Sequence, residues 1–379
     1  MKVGIVSSEF YPMNAAAAAR SGSWATMFLK FGHEVTIFTS SEALPEKYNF
    51  ERSLFSTPSN RASFAKRFVQ EICLGLDLGL RVMLRSKKVE LNLITSPPFF
   101  MAICCALASR LVGVPYIFDV RDRYPNVLFE LGVLAPEKRI GRILLSIEKV
   151  IYESSFFVST VTKGLASDLR EIASGRELFL LYNGYDESAF KDELISNTKF
   201  PKFTVVYHGR LGRFYNQKVL REVIEIIQEI EPNISFLMIG DLSAFEQQKS
   251  WRNVEFMQEL PLSELAQVLV RCHVGICLLK ETDAMLKALP AKTFDFIGAG
   301  LPMIVSPGGE LLETVEKERI GVGINKNDAN EIAHAIIGLY ENTTSLGVFR
   351  RNVLKVRYRY GRSKQSKRLI KRLTSCTIC

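Results

Sequence analysis

Twice along this chain, short runs of β-branched and apolar residues stop at turns rich in Gly, Pro or Ser and give way to helical periodicity. The first series has strands at 3–8 (VGIVSS) and 34–39 around a helix at 15–31, then strands at 91–95 and 116–120. A helix at 140–152 and strand-like runs at 156–161 and 178–182 complete it, with 62–82 read as a helical insertion. The second series follows a polar stretch at 186–201, read as a linker. Its strands fall at 203–208, 235–240, 254–256, 274–279 and 303–306, its helices at 217–230, 262–270 and 294–300. After 331 the chain reads as mostly helical. Apolar runs of strand length that alternate with helices belong to parallel sheets covered on both faces, because a parallel crossover needs a helix. No repeat of solenoid period is present. The expectation is an α/β protein of two Rossmann-like, doubly wound parallel-sheet domains, 1–185 and 186–340, followed by a basic helical tail, 341–379. Such sheets bind ligands beyond the carboxyl ends of their strands, so two of them in tandem would present those loops across a cleft.

A chain of 379 residues suits two such domains, and 47% hydrophobic residues suffice for a sizeable core. The seven cysteines are odd in number and sit mostly in apolar runs, as in a reducing compartment. Cys376 and Cys379 have CxxC spacing without a second pair, which reads as a tail end. The opening MKVGIVSSEFYPMN lacks a signal-peptide core, and the run 99–114 is broken by Ser109 and Arg110. A cytoplasmic protein without a membrane span is expected. From residue 342 on there are eleven Lys or Arg and no acid, whereas the other 341 residues hold 38 basic and 40 acidic side chains. The net charge of +9 thus belongs to that segment. Its interspersed Val353, Leu354, Val356, Tyr358, Tyr360, Leu369 and Ile370 suit a helix on the inner, anionic face of the cytoplasmic membrane. A solvated face is the alternative; no nucleic-acid motif accompanies the charge, and no nucleic-acid partner is expected.

Two turns carry chemistry. At YHGRLG a strand ends in Gly209 and Gly212, whose backbone can approach an anion at a helix start. Arg210 adds a guanidinium, with Arg213, Gln217 or Lys218 as helpers. In ALPAKTFDFIGAGLPMIVSPGGELLE, Pro290 and Lys292 precede a helix whose first turn is expected to carry Asp295. Gly300 closes that helix, and a strand leads to the Gly308–Gly309 turn before Glu310. A carboxylate so placed can accept both hydroxyls of a ribose, and the lysine can meet a diphosphate. His33 reads as a turn residue, and His208 equally as a core histidine or a ligand contact. Four histidines without metal-ligand spacing predict no metal site, and no DxD motif is present.

The run PAKTFDFIGAGLP followed by SPGGELLE resembles the C-terminal signature of family 4 glycosyltransferases of the GT-B fold, above all the bacterial envelope-polysaccharide members. Similarity extends to FYPMNAAAAARSGSWATMFLKFGHEVTIFT, FDVRDRYP, LYNGYD and YHGRLG, in the family's order. The resemblance implies transfer of a sugar from a nucleotide-diphosphate sugar to a polysaccharide or lipid-linked saccharide acceptor, with retention, without a metal or other cofactor. It places Asp295 on the ribose hydroxyls, Arg210 and Lys292 on the diphosphate, and Ala16 and Arg20 in a loop facing the donor phosphates and acceptor. Asp122 falls at an acidic position facing the acceptor, and Asn183 in the link between domains. The last helix is expected to return to the first domain. In the family's E-x7-E motif Asp295 stands at the second glutamate and Lys287 at the first, an acid often missing in that subgroup, and the phosphate-loop lysine is Tyr215, with Lys218 or Gln217 as stand-in. A 2-epimerase or hydrolase of the same fold, or a non-catalytic scaffold, are the alternatives.

Overall fold

The computed structural model describes residues 1–379 except 12–15, 43–44, 59–63, 131, 197, 213, 244, 246–250 and 376–379, and only the backbone of 64, 65 and 196. Ala15, Ala62, Arg213, Cys376 and Cys379 therefore lie outside the described residues. The chain forms two compact units, Met1–Tyr182 with Ser366–Cys379, and Asn183–Gln365.

In the first unit, β1 (Lys2–Val6), β2 (Glu34–Thr39), β3 (Asn49–Arg52), β4 (Leu91–Ser96), β5 (Tyr116–Val120), β6 (Val158–Thr160) and β7 (Leu178–Leu180) build one sheet. Their order is β3-β2-β1-β4-β5-β6-β7, and every pairing is parallel. The helices are α1 (Ala16–Lys30), α2 (Phe64–Leu84), α3 (Phe99–Leu111), α4 (Asn126–Glu130), α5 (Arg139–Ser154) and α6 (Lys163–Leu169). Alternate residues of β1 serve opposite faces, as the strand period of two requires. Val6 joins Leu74, Leu78 and Met101 in a core under α2 and α3, while Val3 and Ile5 join Trp24 and Phe28 of α1.

The second unit repeats the plan with β8 (Thr204–His208), β9 (Ser235–Ile239), β10 (Val254–Met257), β11 (Val274–Leu278), β12 (Met303–Ser306) and β13 (Gly321–Gly323), ordered β10-β9-β8-β11-β12-β13. These pairings are parallel as well. Around them lie α7 (Gln217–Ile230), α8 (Leu262–Leu269), α9 (Asp283–Leu286), α10 (Ala291–Gly298), α11 (Glu310–Glu318), α12 (Ala329–Glu341) and α13 (Thr343–Arg357). The last helix, α14 (Arg362–Thr374), begins in this unit and passes at residue 366 into the first.

Four expectations change. The stretch 186–201 is no linker: Phe190 is buried, and Arg357 of α13 donates to the carbonyls of Gly298 and Phe190 and pairs with Asp192. The basic segment from 342 on is divided between the units and packs as protein, with Val353, Val356 and Tyr360 buried in the second and Leu369, Ile370 and Leu373 in the first. Of that apolar row only Leu354 and Tyr358 remain exposed. The helix placed at 294–300 starts at Ala291, because the polar Lys292 and Thr293 hide its first turn from an apolar pattern; Asp295 therefore lies in its second turn. The edge strands β3 and β13 were not anticipated, since NFER and GVG carry no apolar run.

Candidate active site

In each sheet the strand order reverses beside the first strand of the unit, at β1/β4 and β8/β11, where open α/β sheets bind ligands. At the second of these points β8 runs out in Tyr207 and His208, both buried, and Gly209 turns the chain with φ 89°. Gly240, closing β9 with φ 124°, lies so near that a Cβ on it would sit 2.7 Å from the Gly209 carbonyl oxygen. Both positions need glycine for their backbone angles, and the second also for space. The Gly209 amide donates to Ile239 O at 2.8 Å and the Leu211 amide to Asp241 O at 3.1 Å. Gly209 thus shapes the loop, and its N–H is committed to β9 rather than offered to an anion.

Helix α10 brings Lys292 and Asp295 to the same place, three residues apart and hence on one face. Both are buried, at 5% and 8% exposure, which is rare for charged side chains without partners. The Lys292 ammonium lies 3.5 Å from the Tyr207 ring centroid and 3.8 Å from that of Tyr215, and its Nζ has no hydrogen-bond partner. Rings on two sides supply quadrupolar attraction but no acceptor. Burial pulls its pKa down to about 7. Burial pushes the Asp295 carboxyl up to about 7, opposed by Arg362 and Lys292 and reinforced by Asp186. His208 completes the group, its Nε2 3.7 Å from Asp295 Oδ2 and without a hydrogen-bond partner. Burial, then the Lys292 charge, hold its pKa at about 3, so the imidazole is neutral. A buried amine, carboxyl and imidazole, with Lys292 Nζ and His208 Nε2 left without hydrogen-bond partners, mark this end of β8 as the candidate ligand-binding site.

The other expected residues sort differently. Arg210 stays on the exposed loop, its Nε 3.5 Å from Asp241 Oδ2. Lys218, in the first turn of α7, is 83% exposed and pairs with Glu222. It does not stand in for the lysine missing at Tyr215; the ring of Tyr215 instead flanks Lys292. Gln217 closes the loop through Leu211 O. At the other turn, the Gly308 amide donates to Asn325 O, and Gly309 adopts φ 115° as the residue before α11. A Cβ on Gly309 would lie 2.3 Å from Leu286 O, so this turn rests on α9, a few residues before Lys292. No side chain caps α11, whose first amides have no partners within the helix. Lys287 pairs with Asp283 at 2.8 Å. Among the described residues no three His, Cys, Asp or Glu side chains gather as a metal site.

In the first unit Arg20 is a correction. Its guanidinium is buried, donating twice to Asp119 at 2.8 and 3.0 Å and once to Tyr182 O at 3.0 Å. Thr95 and Ser159 also donate to Asp119, at 3.0 and 2.6 Å. This network ties α1 to β4, β5 and β6, leaving Arg20 a structural residue and not a group that faces phosphates. Ala16 is exposed at the start of α1, Asp122 is exposed just past β5, and Asn183 is half-buried at the start of the second unit. His33 sits in the turn between α1 and β2, its Nδ1 3.2 Å from the Met1 amino group.

Sequence reasoning missed Tyr207 and Gly240, and it read Tyr215 only as a departure. The one available signal was an aromatic residue in a phosphate-type loop.

Residues 202–342, most of the second unit, match the family described as "Glycosyl transferases group 1". A Pseudomonas aeruginosa protein named "Probable glycosyltransferase WbjE" is 22% identical over 350 residues, covering 87% of each chain. Sucrose-phosphate synthase from Thermosynechococcus elongatus superposes over all of both chains with a TM-score of 0.72 at 14% identity. Anabaena HepE in complex with UDP does so over 99% of this chain and 100% of its own, with a TM-score of 0.71 and 14% identity. Two Rossmann-like parallel sheets of this order, with a group 1 domain in the second, make the chain a glycosyltransferase of the GT-B fold.

Proposed function

We propose that the second unit binds a nucleotide-diphosphate sugar and that the enzyme transfers its sugar, with retention and without a metal ion, to a saccharide or lipid-linked saccharide. The observation that carries this reading is the buried Lys292 ammonium at the end of β8, flanked by two rings but without a hydrogen-bond acceptor, beside the buried Asp295. Asp295, as carboxylate, accepts the two hydroxyls of the ribose. Lys292, Arg210 and the first amides of α11 receive the diphosphate. The UDP held by HepE, a protein of the same fold, supports a nucleotide donor.

In the transfer step the bond between the anomeric carbon and the diphosphate oxygen breaks, and the oxygen leaves with the electron pair. Charge develops on the diphosphate and on an oxocarbenium-like carbon. Cations and amides aimed at the departing oxygens lower the barrier because they are already in position. The acceptor hydroxyl attacks from the face the diphosphate leaves and gives its proton to the departing phosphate oxygen. Asp122, an exposed carboxylate past β5, orients the acceptor.

A thermal-shift panel of UDP-, GDP-, dTDP- and ADP-sugars tests the donor class, followed by titration of the best donor. Lys292→Met is expected to weaken that donor about a hundredfold, the worth of a desolvated charged contact. A panel in which no sugar nucleotide raises the melting temperature, or a Lys292→Met protein that binds its donor unchanged, would overturn the reading.

A further inference from the structure

A histidine at the end of a buried strand is ordinarily a core residue whose buried ring nitrogens are bonded. His208 departs from that pattern: it is 5% exposed, yet its Nε2 has no hydrogen-bond partner. Its ring is held on several sides. Strand β8 carries its backbone, Phe296 of α10 meets it edge to face with ring centroids 5.2 Å apart, and the ring hydrogen-bonds the Lys292 backbone. Burial, then the neighbouring Lys292 charge, keep the imidazole neutral across the physiological range. A neutral imidazole holds one N–H and one lone pair, so Nε2 donates or accepts a hydrogen bond without bringing charge.

Nε2 faces the Asp295 carboxylate, 3.7 Å from its Oδ2. That separation is too long for a hydrogen bond between the two, yet one oxygen can lie about 2.8 Å from both. The group that fits there must accept from one neighbour and donate to the other. A hydroxyl does both, in either tautomer of the ring; an ether oxygen, a carbonyl or a methylene does not. A phosphate oxygen would meet the carboxylate as a like charge. Ribose hydroxyls come to Asp295 in the donor reading above, on which this inference rests. We propose that His208 is a specificity-determining residue of the donor site, its Nε2 sharing one ribose hydroxyl with Asp295. The site thereby selects nucleotides that carry this hydroxyl. A donor without it leaves a buried nitrogen and a buried carboxylate oxygen facing each other unpaired.

Calorimetric titration of the full chain with UDP, GDP and ADP identifies the best-bound diphosphate, which is then compared with its 2′-deoxy and 3′-deoxy forms. The wild type should bind one of the two deoxy forms about tenfold or more weakly than the parent, the cost of stranding a buried polar group. In His208→Leu that ratio should shrink about fivefold or more, because the leucine has no polar atom to strand. His208→Gln, whose amide also donates and accepts, should keep part of it. Since the imidazole is neutral, His208→Leu should leave the pH dependence of affinity in place, which Asp295→Asn should not. The ratio compares two ligands on one protein, so a variant of lowered stability still reports it; His208→Phe replaces a leucine variant that does not fold. Deoxy forms that both bind the wild type as tightly as the parent would overturn the proposal, as would undiminished discrimination in His208→Leu. If no ribonucleoside diphosphate binds, the role of His208 falls, and if no sugar nucleotide binds either, the donor reading falls with it. Binding that Lys292→Met weakens, with deoxy ratios indifferent to His208→Leu, overturns the role of His208 alone.

Discussion

Lys292 and Asp295 both titrate near pH 7 in the free protein, because burial penalises each charged form. In the proposed complex ribose hydroxyls donate to the carboxylate, so donor binding should favour ionised Asp295 and weaken as pH falls below about 7. A diphosphate favours the ammonium, so binding also weakens as pH rises above about 7 and Lys292 loses its proton. Donor affinity should therefore pass through a maximum near neutrality. In calorimetry Asp295→Asn should remove the acid limb and Lys292→Met the alkaline one; a wild-type affinity flat across that range would separate these residues from the donor. The same burial lowers stability. Unfolded Asp295 ionises near the ordinary 3.8 of an aspartate, the folded one at about 7, so stability falls as pH rises between the two and stays low above. Asp295→Asn should accordingly raise the melting temperature at alkaline pH, by roughly 2–4 °C per kcal/mol relieved. With Arg20, Thr95 and Ser159 all donating to Asp119, the Asp119→Ala change strands a buried guanidinium, destabilising the fold by about 3–5 kcal/mol. Denaturant unfolding that shifts by less than about 1 kcal/mol would show the network to be dispensable.

Among the elements, the turns at the strand ends shape the proposed donor site around Lys292 and Asp295 of α10. Strands β8 and β9 end at Gly209 and Gly240, which touch through backbone atoms alone. Gly240→Ala must displace the Gly209 carbonyl and hold a Cβ at φ 124°, costing roughly 1–3 kcal/mol. Because Gly209 lies beside the Lys292 side chain, donor affinity should fall about tenfold for each 1.4 kcal/mol of loop distortion carried into the complex. Gly309→Ala should act similarly, by pushing the start of α11 away from α9. Fluorescence or calorimetric titration of both variants, alongside thermal melts, checks this; intact donor affinity would mean the turns only shape the fold. The glycines of both turns were visible in the sequence. Their contacts were not, since Gly240 meets Gly209, and Gly309 meets Leu286, only after the strands have paired.

Over the whole molecule, the chain leaves its first unit at Tyr182 and comes back at Ser366. Leu369, Ile370 and Leu373 share a core with Val3, Trp24 and Phe28, so the first unit is complete only with the far end of the sequence. Arg372 pairs with Glu177 on the same side. Removing 366–379 should therefore lower the melting temperature of the first unit and expose apolar surface to a hydrophobic dye, although the deleted residues are mostly polar. A truncated protein that melts like the full chain would refute this. The positive charge that stands out in the sequence lies mostly on the solvent side of α13 and α14, with Arg357 buried against the carbonyls of Gly298 and Phe190.

Most strands, the longer amphipathic helices, both parallel sheets and the turns at 209 and 308–309 were legible in the sequence, because apolar runs and glycine punctuation are local consequences of burial and backbone geometry. Strand Met303–Ser306 and helix Gln217–Ile230 fall where their residue patterns placed them. The short edge strands and the helices α3, α4, α6, α9 and α11 were not legible, since no alternation of apolar and polar residues long enough to fix a period marks them. What each charged residue does was decided by tertiary structure. Arg20 and Lys292 are both basic residues near a helix start, yet one saturates a buried aspartate and the other lies between two tyrosine rings without an acceptor. Local sequence specifies the side chain and its helix face; its electrostatic surroundings come from residues far along the chain.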